Sequence, residues 1–200
     1  MLVIGLTGGL GSGKSTAAGF FSSLGCKTIS MDAVARELSR PGCKPYEQIV
    51  AAFGQDILDQ QGEIQRPLLR EIVFADPDKR KILEEILHPA IHQHIQHQLE
   101  TMDADICIVE IPLLNYKSQF DFIDRILVID TDPALQAERT QRRDQLSRQQ
   151  IDAIIGAQID PASRLALADD IITNNGSKDE LRQQVQSLHR QYLRLAQHCS

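Results

Sequence analysis

The chain has 200 residues, 42% of them hydrophobic and 24% charged, with a formal net charge of −6. This suits one packed domain with a small inserted region and argues against a general nucleic-acid or membrane binder, whose surfaces are basic. The four cysteines (Cys26, Cys43, Cys107, Cys199) form no CxxC pair and no leader pattern precedes the first apolar run, so reduced thiols and a cytoplasmic setting are expected.

Leu2 to Leu6 is a short continuous apolar run, the pattern of a parallel strand buried on both faces. It feeds Gly8-Gly-Leu-Gly-Ser-Gly-Lys-Ser15, which satisfies G-x-x-x-x-G-K-[ST], and a helix should follow from about Lys14 to Leu24. Gly8, Gly9, Gly11 and Gly13 let such a loop wrap closely round phosphates, with the N–H groups of the loop, Ser12 included, pointing inward. The following helix adds the positive end of its dipole. Lys14 is expected at the β- and γ-phosphates of ATP, Ser15 on Mg²⁺, and Thr16 near the α-phosphate. The spacing is not that of the dinucleotide fingerprint, which needs no lysine.

A weaker strand is expected at Thr28 to Ser30, followed by Asp32. A carboxylate there, at the carboxyl edge of the sheet, suits the base that deprotonates an acceptor hydroxyl, and it equally suits an N-cap for a helix over Ala33 to Leu38. From Met31 to Met102 the pattern is helical, without a convincing strand. Asp76-Pro77 marks one helix start. His88, His92, His94 and His97 crowd together, but Pro89 should push His88 out of helical geometry, leaving a solvated helix from Ala90 to Thr101. Tyr46, Phe53 and Phe74 read as core of this region, with a pocket for an acceptor arm as the other reading. Next comes a strand at Ile106 to Ile111. Its Glu110 either binds Mg²⁺ as a Walker-B acid or is a structural acid at a strand end. A further strand is expected at Arg125 to Ile129, and Asp132-Pro133 opens a helix. The segment 138–164 then carries Arg139, Arg142, Arg143, Arg148 and Arg164, with a capping box at Ser147 and Gln150. A last strand at Asp170 to Thr173 precedes a second capping box, Ser177 with Glu180. The closing helix runs from about Lys178 to Gln197 and has one apolar stripe: Leu181, Val185, Leu188, Tyr192 and Leu195.

Alternating strands and helices argue for a three-layer α/β fold. The phosphate loop specifies a nucleoside triphosphate but not a reaction. No N-K-x-D segment is present to read guanine. The size and the late arginines suggest a small-metabolite kinase whose lid excludes water and neutralises the transferring phosphoryl group.

Lined up in order, several stretches resemble the bacterial dephospho-CoA kinase family: Ile4 to Thr16, Asp32-Ala-Val-Ala-Arg36, Leu87-His-Pro89, Ile111-Pro-Leu-Leu114, Arg139 to Asp144 and Ala168 to Gly176. The resemblance implies a P-loop NTPase fold with a helical acceptor-binding region at 31–102 and a small helical lid at 138–164. It implies phosphorylation of the 3′-hydroxyl of dephospho-CoA by ATP, for which the loop predicts Mg²⁺. A monomer or weak homo-oligomer is expected, and the charge balance argues against nucleic-acid and membrane partners. Asp32 matches the family's base, Lys14 and Arg139 its charge-stabilising groups, and Arg143 a lid contributor. Asn175 matches the adenine-side turn, and Arg66, Arg70 and His88 the acceptor region. The chain departs from the family at Ser30, and at Asn115 and Tyr116, where acids are frequent. A nucleoside monophosphate-type kinase or a non-catalytic nucleotide-gated module are the alternatives.

Overall fold

The computed structural model describes residues 1–112, 114–144, 156 and 158–198, with the side chains of 143, 144 and 198 outside the description. The chain divides into two units, Met1–Ser30 with Asp103–Ser200, and Met31–Met102.

The first unit is built on five parallel strands: β1 (Leu2–Gly8), β2 (Lys27–Ser30), β3 (Ile106–Glu110), β4 (Arg125–Asp130) and β5 (Asp170–Thr173), in the order β2-β3-β1-β4-β5. All five coincide with the apolar runs read from sequence. A parallel sheet covered on both faces cannot use alternation, so its strands are apolar throughout, and all seven residues of β1 are buried. Leu2, Ile4 and Leu6 share one face with Ile106, Ile108, Leu127 and Ile129. Against that face pack α1 (Lys14–Ser23), through Ala17, Ala18 and Phe21, and the C-terminal helix Lys178–His198, through Leu181, Val185, Tyr192 and Ala196. Phe21 and Tyr192 stack with centroids 6.1 Å apart. The buried Tyr192 hydroxyl donates to Asp170 Oδ2 at 3.0 Å, and burial first, then Asp170, pushes that phenol well above its ordinary range. Arg125 completes this polar pair through a 3.0 Å salt bridge to Asp170. Asp132 Oδ1 accepts from the Ala134 N–H at the start of Pro133–Asp144, and Ser177 Oγ accepts from the Glu180 N–H, so both starts are capped as expected.

The second unit holds α2 (Met31–Leu38), α3 (Lys44–Phe53), α4 (Arg66–Ala75) and α5 (Pro77–Glu100), with a 3₁₀ turn at Gln55–Ile57 and one isolated bridge, Leu58 to Ile64. Its core is small: Ile49, Ile57, Ile64 and Leu69, with Tyr46, Phe53, Leu83, Ile86 and Leu87 packed against them. Three expectations are corrected here. Phe74 does not join the core and is 63% exposed, because it sits on the outer side of α4 from the buried Leu69. Asp32 lies in the first turn of α2 instead of capping it, because the helix begins at Met31 directly on the end of β2. His88 is helical, because α5 runs unbroken through Pro89. An interior proline loses one hydrogen bond at a cost of about 3 kcal/mol. The Asp76 carboxylate, accepting from the Asp78 and Lys79 N–H groups, fixes one end of α5, and the buried Ile91, Ile95 and Leu99 fix the other.

The remaining helices of the sheet unit are α6 (Pro133–Asp144), α7 (Pro161–Ala166) and α8 (Lys178–His198). No described helix is long and apolar enough to cross a membrane.

Candidate active site

Residues 8 to 15 join β1 to α1 as the sequence requires. Gly13, at φ 95°, is the N-cap of α1, and Gly11 has φ 71°. Both conformations are left-handed and strain any residue with a side chain. Space forbids one as well: a Cβ at Gly11 would meet Thr140 Oγ1 at 2.6 Å. The loop is therefore pressed against α6 from one side.

It is also braced from beneath. The Ser12 carbonyl accepts from Asn174 Nδ2 at 2.7 Å, and Thr131 Oγ1 lies 3.1 Å from it. Gln136 Nε2 in turn donates to the Thr131 carbonyl at 2.7 Å. Ser12, Thr131, Gln136 and Asn174 are all buried, and buried polar groups that find partners fix a single geometry. Ser12 Oγ is the exception, buried with no hydrogen-bond partner among the described residues. Lys14 curls back over the loop, donating to the carbonyls of Gly8 at 2.6 Å and Gly9 at 3.0 Å. Ser15 and Thr16 are exposed at the start of α1.

Beside the loop is a cavity of about 300 Å³ lined by Gly13, Thr16, Arg139, Asn174, Gly176 and Lys178. Arg139 on α6 donates to the Asn174 carbonyl at 2.9 Å, which points its guanidinium towards this wall. Asn175 is exposed, and its Oδ1 accepts from the Asp132 N–H at 2.8 Å, tying the Asn-Asn-Gly turn to the head of α6. Sequence reasoning chose Asn175 in this turn. The residue that touches the loop is Asn174, buried one position past the end of β5. Glu110 is half-buried at the end of β3, in register with Leu6 of β1. The Arg143 side chain, and 145–155 and 157 of the 138–164 segment, including Arg148 and the Ser147–Gln150 box, lie outside the described residues.

In the helical unit Asp32, Arg66, Arg70 and His88 are all exposed. Arg36 Nε donates to the Asp32 carbonyl at 3.1 Å, and Arg66 Nη2 donates to the Arg36 carbonyl at 2.9 Å. Burial, and then the charge of Arg36, hold Arg66 below its usual range, with Arg40 adding to the effect and Glu63 opposing it. Three guanidinium groups thus lie close enough to feel one another, an arrangement that an anion relieves.

The dephospho-CoA kinase family model matches residues 2–180. A dephospho-CoA kinase from Coxiella burnetii is 47% identical over 198 residues, covering 98% of this chain and all of its own. Among solved structures, a dephospho-CoA kinase from Campylobacter jejuni superposes with a TM-score of 0.69 at 31% identity, over 96% of this chain and 97% of its own. A shikimate kinase from Acinetobacter baumannii reaches 0.55 at 16% identity over 96% and 93%, a likeness of fold alone.

Proposed function

The chain belongs to the dephospho-CoA kinase family, and we propose that Lys14, Arg139 and Asp32 carry its chemistry. The enzyme phosphorylates the 3′-hydroxyl of dephospho-CoA from ATP, giving CoA and ADP. In the proposed reaction the Asp32 carboxylate takes the hydroxyl proton. The ribose oxygen bonds to the γ-phosphorus as the bond from that phosphorus to the β–γ bridging oxygen breaks, and ADP leaves. Charge accumulates on the phosphoryl oxygens, and Lys14, Arg139 and the loop N–H groups neutralise it without reorganising. The observation that carries this reading is the braced loop, with Lys14 held over the Gly8 and Gly9 carbonyls.

The rest of the site follows the same logic. Ser12, Ser15 and Thr16 join Gly8, Gly9, Gly11 and Gly13 on the phosphates, and the orphaned Ser12 hydroxyl supports this. Asn175 and its turn take the adenine side, with Arg143 closing from the lid. Arg66, Arg70 and His88 recognise the acceptor, and the crowding of Arg36, Arg40 and Arg66 supports an anionic ligand there. Ser15 and Glu110 offer the hard oxygen donors that Mg²⁺ prefers, both open enough to leave it several waters. When bound, Mg²⁺ would neutralise β- and γ-phosphate charge. Cys26, Cys43 and Cys107 are free thiols, which supports a cytoplasmic enzyme.

The test is Asp32→Asn. Turnover should fall by about 10²- to 10⁴-fold, while Mg·ATP affinity, read by fluorescence titration, stays within twofold or so. Unchanged turnover would remove Asp32 from this role.

A further inference from the structure

We propose that Arg164 is a further phosphate ligand of this kinase, a second cation beside Lys14 that grips the terminal phosphates of ATP.

Arg164 stands at the heart of α7 and is only 7% exposed. Arginine is rarely buried unless a carboxylate pairs with it. Among the described residues this one forms no salt bridge, and its hydrogen bond is from Nη2 to the Ile159 carbonyl at 2.8 Å. A guanidinium has five N–H donors, so one backbone contact within its own turn does not explain the burial of the charge. Burial pushes Arg164 below its ordinary value, and Asp130 and Asp160 oppose that from a distance.

What Arg164 packs on is the phosphate loop. Its Nη1 lies 2.7 Å from the point where a Cβ at Gly9 would stand, next to Gln136 Oε1 at 2.6 Å. Any side chain at Gly9 would displace the guanidinium, so the glycine makes room for a cation. The same segment reaches the next loop residue: Gln158 Oε1 accepts from the Leu10 N–H at 3.2 Å. A neutral acceptor oxygen on a loop N–H group is chemically what a phosphate oxygen is, a partner for a donor that points inward. Residues 158 to 164 thus lay an acceptor and a cation on adjacent residues of the loop. A phosphate that replaces the Gln158 oxygen meets the Arg164 fork, which binds phosphate oxygens two at a time. A guanidinium fixed in a dry setting interacts more strongly with developing charge than one in water.

The inference rests on the phosphate-loop reading above, and the experiment separates the two. Thermal stabilisation by Mg·tripolyphosphate and by AMP is measured for the wild type, Arg164→Gln and Arg164→Lys, with turnover on dephospho-CoA alongside. We expect Arg164→Gln to weaken Mg·tripolyphosphate and lower kcat, each by about 100-fold, with AMP affinity kept within about twofold. Arg164→Lys should recover part of the tripolyphosphate affinity, because it restores the charge but not the fork. Should the glutamine variant fail to fold, the arginine Nε–H resonance that Arg164→Lys removes is followed in ¹⁵N-labelled wild type. It should move with Mg·tripolyphosphate and not with AMP. Equal loss of tripolyphosphate and AMP binding would overturn the inference, as would wild-type kinetics in Arg164→Gln or an unmoved resonance. A wild type that ignores Mg·tripolyphosphate would sink the phosphate-loop reading itself, and this one with it.

Discussion

In the sheet unit the loop of residues 8 to 15 rests on buried supports. Thr131, Gln136 and Asn174 are 2%, 5% and 6% exposed, and each spends a polar group on the loop or on a neighbour that holds it. In the helical unit Asp32, Arg66, Arg70 and His88 are exposed, on helices whose own core is Ile49, Ile57, Ile64 and Leu69. On the proposed assignment the difference has a reason in the ligands. A triphosphate is the same in every encounter, and a rigid cradle costs nothing in adaptability. An acceptor with a long flexible arm would be met by side chains such as Arg66 and Arg70, long enough to follow it.

This contrast can be broken by substitution. Lys14→Ala should lower kcat by at least about 100-fold, with unfolding in urea unchanged; intact turnover would dissolve the cradle. Phe21→Ala, in the sheet core at the Tyr192 stack, should cost about 3–5 kcal/mol in urea unfolding because the site is sealed. A loss under 1 kcal/mol or so would mean the sheet unit is no more rigid than the helical one. Arg66→Ala should raise KM for dephospho-CoA by about tenfold, the worth of one charge-assisted hydrogen bond, and leave KM for ATP alone. A change in both would blur the division between the units. Phe74→Ala, at an exposed position, should alter stability by no more than about 0.5 kcal/mol. If it raises KM for dephospho-CoA instead, the pocket reading of this aromatic returns.

What the sequence disclosed follows the same division. The strands were legible because burial on both faces leaves a continuous apolar run, and Asp170 to Thr173 was found to the residue. The loop was legible because Gly11 and Gly13 answer a backbone demand that no other residue meets. Asn174 and Gln136 were not, because their roles depend on residues 162 and 5 positions away that only the fold brings near. Pro89 misled because a local rule was overridden: buried residues further along α5 outweigh one missing hydrogen bond. Phe74 misled because on a short helix with a small core the apolar face is narrow, and Phe74, about 140° round the helix from Leu69, points to solvent.

The strand that leads into the loop comes first of the five in chain order and lies in the middle of the sheet, between β3 and β4. Its partners, Ile106 to Glu110 and Arg125 to Ile129, leave the ribosome only after the whole helical unit has emerged. Until then β1 has two open edges and nothing to pair with. The clasp on Ser12 waits longer still, for Asn174. Nucleotide affinity is therefore a property of the finished chain, and a translation product cut short before that asparagine should neither hold ATP nor spend it.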